Sequence, residues 1–176
     1  MMNAKQLSLN ATLLALLIIL GMTPPIAVGL PVPIVLQNFG IFLIAGLLNT
    51  RSATLVIATF LTLTALGLPL LSGMRGGLPV MIGPTGGYLL GWLLTPISVA
   101  AVQRLLATKT VPSLWALLLG GMFVTDLAGT IWLTIFYHTP FTVALLSNLV
   151  YIPGDLIKIV ACSVVLTAVN RAVSFK

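Results

Sequence analysis

The stretch Tyr151 to Val169 reads YIPGDLIKIVACSVVLTAV, with an aspartate and a lysine three residues apart at the head of a long apolar run. A helix that crosses a bilayer needs about 20 mostly apolar residues, and this run suits one. A charge in the hydrocarbon region costs roughly 2.5–3.5 kcal/mol on insertion scales, so such groups face a partner or a wet cavity. Pro153 fits the first helical turn, where a missing N–H does no harm, and Gly154 lets another backbone or a ligand come close. Asp155 and Lys158 then project from roughly one face of the helix. One reading is a self-neutralising pair buried between helices. The other is a polar site for a small solute that needs both a donor and an acceptor.

The composition widens this into a class. The chain has 176 residues, 59% of them hydrophobic and 6% charged, and its mean hydropathy is +1.20. Those values describe an integral membrane protein rather than a soluble domain. The formal charge of +6 invites a nucleic-acid reading, but the basic residues are scattered without aromatic interleaving, so nucleic acid is rejected as a partner. Cys162 is the single cysteine and His138 the single histidine. Disulfides within the chain and cysteine-based metal sites are thereby excluded, and no metal site is expected. Lys5 precedes the apolar run Leu13 to Leu20, which raises a signal peptide. The segment is read instead as a first membrane helix.

Six apolar segments are expected to span, at about 7–23, 34–49, 53–71, 86–106, 112–137 and 152–170, in one transmembrane domain covering 1–176. Pro, Gly and polar clusters punctuate the joints. With the N-terminus inside, Lys5, Arg51, Arg104, Lys109, Arg171 and Lys176 fall on the cytoplasmic side and Arg75 alone in an outer loop. Short cytoplasmic loops retain Lys and Arg, so both termini are placed in the cytoplasm. The Pro/Gly-rich connections near 24–33, 72–85 and 138–151 then share the outer face with YIPGDLIK. Irregular backbone at membrane depth is tolerated where protein buries it or a cavity accepts it, which predicts a pocket roofed by outer loops. The two halves of the chain do not mirror each other, and no inverted repeat points to a self-sufficient transporter.

Catalytic motifs are absent: no HExxH, no GxSxG and no GxxxxGK[ST]. No catalytic residue is assigned, and the chain is not expected to be an enzyme. An intramembrane enzyme built on Asp126 and Asp155, the only acidic residues, is the alternative in another class. A second informative stretch is Ser72 to Trp92, SGMRGGLPVMIGPTGGYLLGW. Gly83 to Gly87 make a tight turn at a helix start whose backbone N–H groups suit a polar or anionic ligand. Tyr88 follows, where it can close over a flat solute. Gly87 and Gly91 also form a GxxxG that lets another helix approach.

GPTGGYLLGW at Gly83 to Trp92, PVPIVLQNFG at Pro31 to Gly40, and PGDLIK at Pro153 to Lys158, taken together in this order, resemble the BioY family. That family is the biotin-specific substrate-binding component, or S component, of energy-coupling-factor transporters. The resemblance implies an all-α bundle of six helices in the bacterial inner membrane that captures biotin from outside, in a pocket formed by helices four to six under the outer loops. It implies a transmembrane coupling subunit and two cytoplasmic ATPases as partners, and a fold that topples to carry the pocket inward. Biotin is then the transported ligand, and no cofactor is expected. Small residues on the first helix would meet the coupling subunit, here Ala11 and Ala15.

Within such a pocket Asp155 can accept from a ureido N–H and Lys158 can donate to the ureido carbonyl. Charge-assisted bonds of this kind are worth about 1.5–3 kcal/mol each. Arg75, or the backbone of the Gly83 and Thr85 turn, would meet the valerate carboxylate. Gln37 and Asn38 are placed near the pocket mouth, with Gln37 as a pocket or gate residue. Asp126 lies mid-span, outside the family pattern, either neutral because it is stripped of water or paired with Lys158. Trp92, Trp115, Trp132, Tyr137 and Tyr151 are read as interfacial anchors or packing. The remaining alternatives are an S component for another vitamin and a passive channel.

Overall fold

The computed structural model describes residues 4–107 and 114–172, and these form an all-helical bundle. Lys109 and Lys176, which entered the orientation reading, lie outside the described residues. The elements are α1 Ala4–Gly21, α2 Gln37–Leu47, α3 Thr50–Ala65, α4 Leu78–Ile82, α5 Gly86–Leu105, α6 Leu114–Tyr137, α7 Phe141–Asn148 and α8 Ile152–Ala172. Four of them, α1, α5, α6 and α8, are long and apolar enough to cross a membrane. At 11 residues α2 spans only about 16 Å, far less than a hydrocarbon core of about 30 Å. The prolines at 31 and 33 explain the shortening, because the segment before α2 is drawn into an extended turn pinned by the Ile26–Ile34 bridge.

Two stretches read from sequence as plain connections hold short helices, α4 and α7. α4 has a proline within its first turn, and Pro140 sits at the N-cap of α7. Asn49 caps α3 by accepting from the Ser52 N–H at 2.9 Å. α6 ends at His138, whose left-handed backbone (φ 52°) stops the helix.

The core gathers Leu17, Ile41, Phe42, Ile57, Phe60, Leu117 and Ile159, all with almost no exposure. α5 is central, packing along α6 and against α2 and α3. Its seam with α6 depends on glycine. A Cβ on Gly87 would lie 2.1 Å from the Trp132 Cβ, and one on Gly91 would lie 2.7 Å from the Thr125 Cα. The GxxxG thus brings two backbones together, and Thr95 and Thr125 share a hydroxyl bond of 3.2 Å across the seam. Leu55, Leu90, Ile97, Ile131, Ile157 and Val164 meanwhile point outward. A helical bundle with apolar side chains on its outside as well as its inside is built for lipid.

Candidate functional site

A cavity of about 600 Å³ of empty space, counting its mouth, lies among the starts of α2, α5 and α8, the middle of α6, and the segments near residues 32–35 and 71–75. At its polar end, Asp155 on α8 is 2% exposed and its Oδ1 accepts from the Lys158 Nζ at 2.6 Å. The Asn38 Nδ2 on α2 donates to both Asp155 oxygens at 3.1 Å. The Asn38 Oδ1 accepts from the Trp92 Nε1 on α5 at 2.9 Å. Three helices are therefore joined by one chain of bonds, from Trp92 through Asn38 to Asp155 and Lys158. Removing one partner of a buried ion pair costs roughly 3–5 kcal/mol, because the other charge is left uncompensated.

Of the residues singled out from sequence, Gln37, Asn38, Arg75, Thr85, Tyr88, Asp126, Asp155 and Lys158 all line this cavity. Gly83 does not. Its carbonyl accepts from the Trp132 Nε1 at 2.8 Å and from the Gly86 N–H at 3.0 Å, so the turn closes on itself. Gln37 is fully buried and its amide is already engaged. The Nε2 donates to the Leu70 carbonyl at 3.0 Å and the Oε1 accepts from the Ser72 N–H at 2.9 Å. It straps the 70–72 segment to α2 from within the cavity lining. Thr85 donates to the Val80 carbonyl at 3.0 Å, and the Arg75 Nε to the Ser72 carbonyl at 3.2 Å. Lys158 pairs with Asp155 rather than with Asp126 across the helices.

Two of the aromatic residues pack in buried clusters, as expected, and also reach the cavity. Trp92 and Tyr151, read as anchors or packing, both line the cavity. The Tyr151 hydroxyl donates to the Val32 carbonyl at 2.6 Å, which fastens the turn before α2 to the head of α8. Burial pushes the Tyr151 phenol up to about 12, and the charge of Asp126 adds to the effect. Tyr88 meets Tyr151 edge to face, with ring centroids 6.1 Å apart. Trp115, by contrast, is exposed on the bundle surface.

Asn148, at the end of α7, was not singled out. It is buried, accepts from the Tyr88 hydroxyl, and donates to the Thr130 hydroxyl and to the Asp126 carbonyl. Its only sequence signal is an amide in an otherwise apolar stretch. Val32, Tyr88, Leu133, Ala144 and Tyr151 form a second apolar cluster, which packs α7 against two residues of the cavity wall, Tyr88 and Tyr151, and against the turn before α2. The pocket thus draws on α2 and on the connections as well as on the three helices expected from sequence.

Ala11 and Ala15 lie together on the exposed face of α1. The opposite face, with Asn10, Leu13, Leu17 and Gly21, is buried.

The profile of the BioY family matches residues 1–175. The biotin transporter BioY of Lactococcus lactis subsp. cremoris is 38% identical over 179 residues, covering 99% of this chain and 95% of that protein. The biotin transporter BioY of Rhizobium etli is 34% identical, covering 98% and 94%. Among solved structures, the S-component for biotin from an ECF-type ABC transporter superposes with a TM-score of 0.90 at 38% identity, over 97% of this chain and 95% of that one. On sequence over nearly its full length and on fold, this chain belongs to the BioY family.

Proposed function

We propose that this chain is a biotin-capturing S component of an energy-coupling-factor transporter. The observation that carries the reading, in a member of this family, is the joined donor and acceptor set at the head of α8. Asp155 accepts from a ureido N–H and Lys158 donates to the ureido carbonyl, while Trp92, Tyr88 and Tyr151 supply flat apolar walls for the fused rings. Arg75, an exposed cation in the cavity lining, takes the valerate carboxylate.

The membrane arrangement follows the cation bias: one domain of six spans, both termini cytoplasmic, in the bacterial inner membrane. α2 and α3 complete the six, with the irregular segment before α2 lying at membrane depth against the pocket. No ATP-binding motif is present, so a coupling subunit and two ATPases supply the energy, and Ala11 and Ala15 let the coupling subunit approach α1 closely. The relatives are transporters by name, and the enzyme reading built on Asp126 and Asp155 is dropped.

Uptake tests this. In bacterial cells without their own biotin uptake, labelled biotin at low concentration accumulates when this chain is expressed with a coupling subunit and ATPases. Replacing Ala11 and Ala15 with leucine abolishes that accumulation. Cells that take up no biotin despite a correctly inserted complex contradict the reading.

A further inference from the structure

Both acidic residues of the chain line the same cavity, Asp155 from α8 and Asp126 from α6, yet they differ in what they hold. Asp155 carries Lys158 at 2.6 Å and the Asn38 amide at 3.1 Å. The Asp126 carboxyl makes no hydrogen bond or ion pair among the described residues. Its backbone is nevertheless fixed, because the Asp126 carbonyl accepts from the Thr130 hydroxyl at 2.8 Å and from the Asn148 Nδ2 at 3.0 Å. The main chain at Asp126 is thus anchored, and the carboxyl it carries into the cavity lining is free to accept.

The other polar side chains at this end are engaged. Asn38 is bonded through both ends of its amide, and the Tyr88 hydroxyl and Asn148 satisfy each other. Lys158 offers three N–H donors, of which Asp155 takes one. A carboxylate accepts about four bonds, so Asp155 also has capacity left. The wall therefore presents two carboxyl acceptors and one ammonium donor. A cyclic urea presents the complement, two N–H donors with a carbonyl acceptor between them. A carboxyl left without a donor out of water is unfavourable, and a ligand N–H relieves it.

We propose that Asp126 is a specificity-determining residue of the pocket: it accepts one ureido N–H of the ligand, Asp155 accepts the other, and Lys158 donates to the carbonyl between them. The assignment rests on the biotin reading and goes beyond it by giving each N–H its own carboxyl. The pocket then selects ureas unsubstituted on both nitrogens.

Two biotin analogues test this, each methylated on a different ureido nitrogen, with binding measured against wild type, Asp126→Ala and Asp155→Ala. Wild type disfavours both isomers relative to biotin by more than about tenfold, equivalent to 1.4 kcal/mol. Asp126→Ala weakens biotin and compresses the discrimination against one isomer only. Asp155→Ala compresses the discrimination against the other. Where the alanine variant fails to fold, Asp126→Asn keeps the shape and gives the same one-sided change at smaller size. Unchanged ratios, or both variants acting on the same isomer, overturn the assignment while leaving biotin binding intact. Wild type that binds no biotin overturns it together with the reading it rests on.

Discussion

Asn38 on α2 donates one amide nitrogen to both oxygens of Asp155 on α8, at 3.1 Å each, across 117 positions of sequence. The bond sets the carboxylate of Asp155 in one plane and, through the Trp92 indole, links α8 to α5 as well. Hydrogen bonds to a charged group are worth about 1.5–3 kcal/mol. Asn38→Ala is therefore expected to weaken biotin binding by about tenfold, with the fold retained because Lys158 still neutralises Asp155. Calorimetry on the purified variant checks it, and an unchanged affinity removes Asn38 from the site.

The Asp155–Lys158 pair separates structure from recognition. Lys158→Met leaves a buried carboxylate uncompensated and is expected to destabilise by roughly 3–5 kcal/mol. Combining it with Asp155→Leu removes both charges, restoring most of the thermal stability in detergent but no binding. A double variant that still binds biotin tightly would show that the pair is only structural.

The seam between α5 and α6 makes a prediction without any ligand. A Cβ at Gly129 would come within 2.3 Å of the Tyr88 ring, and one at Gly87 within 2.6 Å of the Ala128 carbonyl. Overpacking of this kind costs about 1–3 kcal/mol. Gly87→Ala meets backbone and lowers the unfolding temperature. Gly129→Ala meets a side chain that lines the pocket, so it also weakens binding by displacing Tyr88.

A pH dependence follows from Tyr151. Only the neutral phenol can donate to the Val32 carbonyl, and the phenol is raised from 10.0 to about 12, by burial first. A group raised on folding contributes stability below its unfolded value that is lost as pH rises through the folded one. Wild type is thus expected to lose more thermal stability than Tyr151→Phe between pH 10 and 12. Equal losses across that window would mean that Tyr151 titrates alike in the folded and the unfolded chain.

The all-helical membrane class was legible because long apolar runs have few other physical solutions, and the head of α8 because charges inside such a run demand an explanation. The short helices α4 and α7 were hidden, since in lipid both faces of a helix can be apolar and amphipathic periodicity fades. α7 carries Phe141, Val143, Leu145 and Leu146 outward as well as Ala144 inward. The strap made by Gln37 was illegible for another reason: its partners are backbone atoms of Leu70 and Ser72, which any sequence provides. The same holds for Tyr151 and the Val32 carbonyl. Packing of Trp92 was legible from its place in an apolar helix, but its bond to Asn38 was not, because that partner lies 54 positions away on another helix.

The most direct measurement is calorimetric titration of the purified, detergent-solubilised protein with biotin, alongside Asp155→Asn. The account predicts saturable, tight binding by wild type that the substitution weakens by more than about tenfold, or 1.4 kcal/mol. Folded wild type that binds no biotin, or an Asp155→Asn protein that binds it equally well, would contradict the account.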